Sequence, residues 1–467
     1  MSVGRHNRTN IGFYLAWWLD DLRNSTVAYW FDGLWHYLRA TLPGMSADAR
    51  LERLAQALRR FAYLTPSFIG EHLWKELSAP AVAADIRARQ IGWSRRDKSQ
   101  GGTVGAQGHS SVGASVVLRA PTAADKGVLY VSFEYNWMEL ARSGCLAKVM
   151  QHFYVVGATS WSPTNATAMA CAAGLAEDPL FLGISHFADI KAFRVARPTI
   201  RSVSQLASDW IDTSEFPLVE KSARDIDIIM IANWASWKRH AILFHALARL
   251  PSSLNIVLIG RDMDGRTAST VLDEATSFGV RQQITAFTDI NAMAVRKLLS
   301  RAKVSLSLSA REGSCVGVAE ALAADCPVAC LRSSHIGSLA YINKDTGRRA
   351  SRARLSAAVS ELLECYRGMH PRAWYELHSG CWNASRSLEE ELGVYAMSKG
   401  RRPDTPMAPL KWTFVPAYAR VQDAQRLLPA REFLERECGV KLLDFVPPDS
   451  RDRTTTLWPA RAGITLS

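Results

Sequence analysis

Residues 303–331, KVSLSLSAREGSCVGVAEALAADCPVACL, constrain the chain more than any other stretch. Val304, Leu306 and Leu308 alternate with Ser305, Ser307 and Ser309, a period of two that predicts a strand. A tight loop, Ala310 to Ser314, follows, and Gly313 is expected to take a backbone conformation that other residues resist. The helix formers of VAEALAA predict a helix from about Cys315 to Ala324. Pro327 to Leu331 is a short apolar run suited to a buried strand. Strand, loop, helix and strand in this order make half of a doubly wound α/β unit, in which ligands bind beyond the carboxyl ends of the strands.

The start of that helix, Ser314 to Val316, offers unpaired N–H groups and the positive end of a dipole, which suits a phosphate. Glu312 lies in the loop and Glu320 in the helix, with seven residues between them. Two carboxylates so placed can flank one molecule, one reaching a sugar and the other chelating a ribose diol. On an arbitrary helix the same pair is a solvated face.

Glu312-x7-Glu320, the small-residue helix and Pro327-Val328 together resemble the signature of the retaining GT-B glycosyltransferases of sequence family four, the glycosyl transferases of group 1. The resemblance implies an α/β fold of the GT-B kind, two Rossmann-like domains facing across a cleft, here with an extra helical N-terminal segment. It implies that Glu312 contacts hydroxyls of the donor hexose and Glu320 holds the ribose. Gly313, Ser314, Cys315 and Val316 would then sit at the donor phosphates. Upstream, DIDIIMIA (225–232) predicts a buried strand, NWASWKRH a loop, and AILFHALARL a helix with Ile242, Leu243, Ala246 and Leu250 on one face. In the family this loop supplies an Arg and, five residues later, a Lys to the diphosphate. Lys238 matches the Lys. Asn233 stands where the Arg is usual, and Arg239 is the candidate for the missing charge. A strand over 254–260 ends at Gly260, and the loop Phe287–Asp289, with Thr288, is where the family holds the base, mostly through backbone groups. The resemblance covers residues 225–350, fades back to 126 and does not reach the first hundred.

The chain divides into four parts. Residues 1–115 are a helical segment ending in the Gly/Ser-rich loop 94–115. Trp17, Trp18, Trp30 and Trp35 there are read as buried packing in preference to a docking face for an acceptor or lipid. Residues 116–205 form an acceptor-side Rossmann-like domain, with strands at 127–133, 153–159 and 180–185 and His186 in the loop beyond the third. The family often carries a cleft His there, so His186 joins Lys238 and Glu312 as a catalytic candidate; a His held by loop backbone is the open alternative. Residues 206–371 form the donor domain. Residues 372–467 are helices and a tail, with a segment of 372–395 crossing back to the first domain and the last twenty residues poorly ordered.

A length of 467 residues allows two domains. The net charge of +12 points to anionic partners, nucleotide phosphates first and an anionic membrane surface second. The basic residues are scattered and no nucleic-acid motif accompanies them, so nucleic acid is excluded. Eight cysteines form no CxxC pair and have no His at metal spacing. Reduced thiols, no metal and no cofactor are expected, with a cytoplasmic location that extends to the inner face of a membrane. IGFYLAWWLDD is too short and too acidic for a signal, and the apolar run 166–176 is too short to span a bilayer. The expected activity is metal-independent transfer of a hexose, with retention, from a nucleotide sugar to a hydroxyl of a glycan, lipid-linked or small-molecule acceptor. A sugar-nucleotide epimerase of the same fold and a non-catalytic nucleotide-sugar binder are the alternatives.

Overall fold

The computed structural model describes residues 15, 17–19, 21–61, 68–89, 91, 108–158, 178–184, 200–413, 415–443 and 455–458. The chain forms two units. One comprises Thr26–Asp212 with Ser379–Val446, and the other Met1–Ser25, Thr213–His378 and Pro447–Ser467.

The first unit opens with helices α1 (Thr26–Ala40), α2 (Ala47–Phe61), α3 (Phe68–Leu77) and α4 (Pro80–Arg89). Gly33 lets α1 press on α2, since a Cβ there would lie 3.0 Å from the Cβ of Arg60. Strands β1 (Ser110–Val112), β2 (Ser115–Arg119) and β3 (Gly127–Ser132) follow, then α5 (Glu134–Arg142), α6 (Cys145–His152), β4 (Phe153–Ala158), β5 (Leu180–Ile184) and β6 (Ile200–Leu206). The sheet order is β2-β3-β4-β5-β6. β2 is antiparallel to β3, and the other pairs are parallel. Both faces of β3 and β4 are buried, which is why GVLYVS and FYVVGA read as unbroken apolar runs.

The second unit alternates strand and helix: β7 (Ile226–Ile231), α7 (His240–Leu247), β8 (Asn255–Gly260), α8 (Ala268–Ser277), β9 (Gln283–Thr288), α9 (Ala292–Ser300), β10 (Ala302–Ser307), α10 (Val316–Ala323), β11 (Val328–Leu331) and β12 (Gly347–Ala350). Helices α11 (Leu355–Cys365) and α12 (Pro371–His378) complete it. The sheet order is β12-β11-β10-β7-β8-β9-β16, where β16 is Thr455–Trp458. All pairs are parallel except β16 with β9. Arg224 locks the amino edge of this sheet, donating to Ala302 O at 2.8 Å, Asp325 O at 3.0 Å and Ala324 O at 3.3 Å. The last two are carbonyls at the C-terminus of α10, where a cation is favoured.

After His378 the chain returns to the first unit as α13 (Cys381–Ser398), whose Leu388, Leu392 and Ala396 pack in one cluster with Tyr154 and Phe181. The hairpin β13 (Leu410–Trp412) and β14 (Pro416–Tyr418), helices α14 (Gln422–Arg426) and α15 (Leu428–Cys438), and β15 (Val440–Leu442) end the unit.

Several expectations change. The Gly/Ser-rich loop ends early, because Ser110–Val112 pairs in parallel with Val440–Leu442, and β2 and β6 are strands that the periodicity does not mark. Long-range pairing partners decide this, and local composition does not reveal them. Thr455–Trp458 in the tail forms the edge strand β16, in keeping with its β-prone TTLW. The tryptophans read as packed are half exposed: Trp18 at 55%, Trp30 at 40% and Trp35 at 56%. Trp17 alone of the four turns inward, edge-on to Phe278 at 5.9 Å.

Candidate functional site

Lys238 and Glu312 are 74 positions apart in the chain, and their strands make them neighbours. β7 and β10 pair in parallel, Val304 beside Ile228 and Leu306 beside Met230, so their following loops leave one edge of the sheet together. Ala310 N donates to Trp237 O at 2.8 Å and stitches the two loops. Ser236–Lys238 is a single 3-10 turn, closed by Lys238 N on Ala235 O at 3.1 Å.

The Lys238 ammonium pairs with Glu312 Oε1, and the Ser309 hydroxyl donates to the same oxygen. Glu312 N donates to His335 O at 3.0 Å, and His335 N to Ala310 O at 2.9 Å, so the acid is held through its backbone as well. Burial pulls the Lys238 pKa down, but attraction to Glu312 and Cys315 outweighs it and leaves the group above the usual lysine value. The corner is therefore a preformed ion pair whose cation stays charged.

The left-handed residue of the loop is Cys315, at φ 59 and ψ 76; Gly313 has no positive φ. Cys315 is the cap of α10, and Ser307 Oγ lies 3.4 Å from its sulfur. Its thiol is pushed up to about 12 by burial and Glu312, against the opposing pull of Lys238. Gly313 O and Ser314 O accept from Gly337 N at 3.0 Å and Ser338 N at 2.9 Å, which ties the loop to the segment after β11. Val316 begins the helix, as expected.

Glu320 sits one turn into α10. Burial raises its carboxyl above the usual value, with a partial opposing pull from Arg296. Arg296 is itself engaged, paired with Glu215 and over the Phe216 ring at 5.4 Å. Glu312 is thus compensated and Glu320 is desolvated. Gly260 and Thr288 stand side by side at the carboxyl ends of β8 and β9. Gly260 has a packing reason of its own, since a Cβ would meet the buried Trp234 ring at 2.6 Å. Asn233 Oδ1 accepts from Ala235 N at 3.3 Å.

Arg239 does not join the corner. At φ 60 and ψ 44 it caps α7, and its Nη2 lies 3.1 Å from Asp21 Oδ1. Asp21 also pairs with Arg352. Arg239, Asp21, Trp17, His240, Arg266 and Glu274 line a cavity of about 330 Å³. His240 is buried there and pulled down to about 3 by desolvation, Arg266 and Lys238, so it is neutral. His186 lies outside the described residues. Among the described residues no three His, Cys, Asp or Glu side chains gather so as to hold a metal ion.

Sequence reasoning missed Ser309, Trp237, His335 and Asp21 as supports. Ser309-x-x-Glu312 has the spacing of a serine that meets an acid three residues on, a signal available in the sequence. The other three act through backbone or across more than two hundred positions, and nothing local announces them.

Residues 213–370, about a third of the chain, match the family model described as "Glycosyl transferases group 1". This segment is similar to the group 1 glycosyl transferases. It contains Lys238, Glu312 and Glu320. Solved structures similar to the chain include Anabaena Alr3699/HepE in complex with UDP, 14% identical over 57% of this chain and 78% of that one, TM-score 0.45. Sucrose-phosphate synthase from Thermosynechococcus elongatus is 15% identical over 58% and 73%, TM-score 0.44. The pneumococcal O-GlcNAc transferase GtfA in complex with UDP and GlcNAc is 14% identical over 57% and 56%, TM-score 0.39. No curated protein matches the chain.

Proposed function

We propose that this protein is a retaining glycosyltransferase of sequence family four that moves a hexose from a nucleotide sugar to an acceptor hydroxyl. The observation that carries the reading is the meeting of Lys238 and Glu312 at one edge of the β7–β10 pair, inside the segment similar to group 1. The bond from the anomeric carbon to the diphosphate breaks, and one from that carbon to the acceptor oxygen forms on the same face. The acceptor proton leaves with the diphosphate oxygen. Charge grows on that oxygen, and a preorganised ammonium there is the kind of group that lowers such a barrier.

In this reading the donor phosphates draw Lys238 away from Glu312, which is then free to accept from hexose hydroxyls while Ser309 and the His335 carbonyl hold it. Glu320 takes the ribose diol, and two hydroxyl donors repay the desolvation that raises its pKa. Gly313, Ser314, Cys315 and Val316 line the phosphates, and Thr288 and Gly260 the base. Residues 206–371 bind the donor; residues 116–205 bind the acceptor, a glycan, a lipid-linked sugar or a small molecule, and His186 remains a catalytic candidate. The reaction uses no metal and no cofactor, since Lys238 supplies the positive charge. A cytoplasmic enzyme of polysaccharide synthesis fits the seven free cysteines among the described residues. Asn233 in place of a second cation favours one rival, a nucleotide-sugar binder without turnover.

Hydrolysis of a panel of nucleotide sugars tests the reading. Slow release of nucleotide from one donor, abolished in Lys238→Ala, is expected. Tight binding of a donor with no release in any buffer would leave the binder.

A further inference from the structure

Helix α1 uses one face to pack on α2 and leaves the other uncovered. On the packed side Gly33 and Ala40 are buried, and Asp32 pairs with Arg60 at 2.6 Å. On the open side Val27, Trp30, Phe31, Trp35 and Leu38, with Leu42 just beyond, are 40–62% exposed. Their spacing of three and four makes one stripe along the helix. Single exposed apolar residues are ordinary, but a continuous stripe with two Trp and a Phe marks an interaction surface.

Charge identifies the occupant. Asp32 is the only acid of α1, and it is engaged by Arg60, with His36 at 3.7 Å. Arg39 lies over the Trp35 ring at 5.0 Å, placing a cation at the border of the stripe. The whole chain carries +12. Indole rings have an apolar body and an N–H donor, and they settle at the headgroup level of a bilayer, where a neighbouring Arg meets phosphates. Among the described residues no helix is long and apolar enough to cross a membrane. We propose that α1 docks the protein on an anionic bilayer surface, its apolar stripe among the headgroups and Arg39 on lipid phosphates. The proposal stands whether or not the chain transfers sugars.

The full chain is floated with vesicles of phosphatidylcholine alone or mixed with phosphatidylglycerol. Co-flotation with the mixed vesicles, weakening as salt rises, is expected. Trp30→Gln, Phe31→Gln and Trp35→Gln together should lower partitioning by about tenfold or more, and Trp35→Gln alone by about threefold. The single variant decides the matter should the triple one lose its helical circular dichroism. Donor hydrolysis in vesicle-free buffer should be unchanged in both, so failure of docking and failure of the transferase reading are separable. Absence of wild-type flotation, or flotation unchanged in the variants, overturns the proposal. So does a dimer by light scattering that the triple variant dissolves, which would make the stripe a contact between copies.

Discussion

Lys238 and Arg239 are adjacent cations with different fates. Lys238 ends a 3-10 turn and meets Glu312 beyond β10; Arg239 takes a left-handed conformation and meets Asp21 beside a separate cavity. The first pair joins two loops of the sheet edge where the proposed function places the donor. The second fastens residues of the N-terminal segment to the cap of α7. One change of backbone sign between neighbours sends the two cations to different partners. A run of basic residues after a strand is therefore no measure of how many charges face a ligand.

The largest effect should come from Lys238→Ala, about 3–4 kcal/mol in turnover, since charge on the leaving oxygen grows in the transition state. Lys238→Arg should restore only part, because a planar fork replaces a compact charge. Steady-state kinetics on variants with an unchanged melting temperature checks both, and near-normal turnover in Lys238→Ala would erase the distinction between the two cations.

Glu320→Gln should weaken donor binding by about 1.5–3 kcal/mol by calorimetry, the scale of a hydrogen bond to a charged group. The raised pKa of Glu320 adds a pH signature. Below the ordinary carboxyl value the group is neutral in both folded and unfolded chains. As pH rises through the raised folded value the desolvated group ionises, so its contribution to stability is lost while donor affinity grows. The glutamine variant should flatten that rise; the same slope in both proteins would remove Glu320 from the site.

Asp21→Asn sharpens the other half of the comparison. It leaves the buried Arg239 without a carboxylate, and a loss of about 2 kcal/mol in stability is expected. This is below the cost for a fully buried pair because Asp21 keeps 18% of its side-chain surface in water. Turnover per folded molecule should hold. If instead kcat collapses with the fold intact, Arg239 belongs to the chemistry after all.

Chelation should have the smallest effect. Activity should survive EDTA if, as proposed, Lys238 provides the charge that a metal would otherwise bring. Asp262 and Asp264 are the nearest acids after β8, and Asp264, at φ 53, sits in the turn closed by Met263 and Arg266. Loss of activity reversed by manganese would move the phosphate chemistry to such acids.

Residues 303–331 were legible because their pattern is local. A period of two, then small helix formers, then a short apolar run already states strand, helix and strand, and those elements are found at Ala302–Ser307, Val316–Ala323 and Val328–Leu331. The strand at DIDIIMIA was legible for the same reason, as Ile228 to Met230 is an unbroken apolar run buried on both faces. Left-handed Cys315, in place of Gly313, was not legible, because the loop is shaped by hydrogen bonds from Gly337 and Ser338 to its carbonyls.

By itself the sequence determined the alternating strands and helices of residues 225–331 and where the acids and Lys238 fall relative to those strands. Tertiary structure alone decided the rest. It set β7 beside β10, which closes the distance between Lys238 and Glu312, and it drew Arg239 to an aspartate 218 positions away. It also left the stripe on α1 uncovered, because Gly33, Asp32 and Arg60 commit the opposite face to α2. Local patterns record what a segment would bury; only the packed chain determines which faces find a partner.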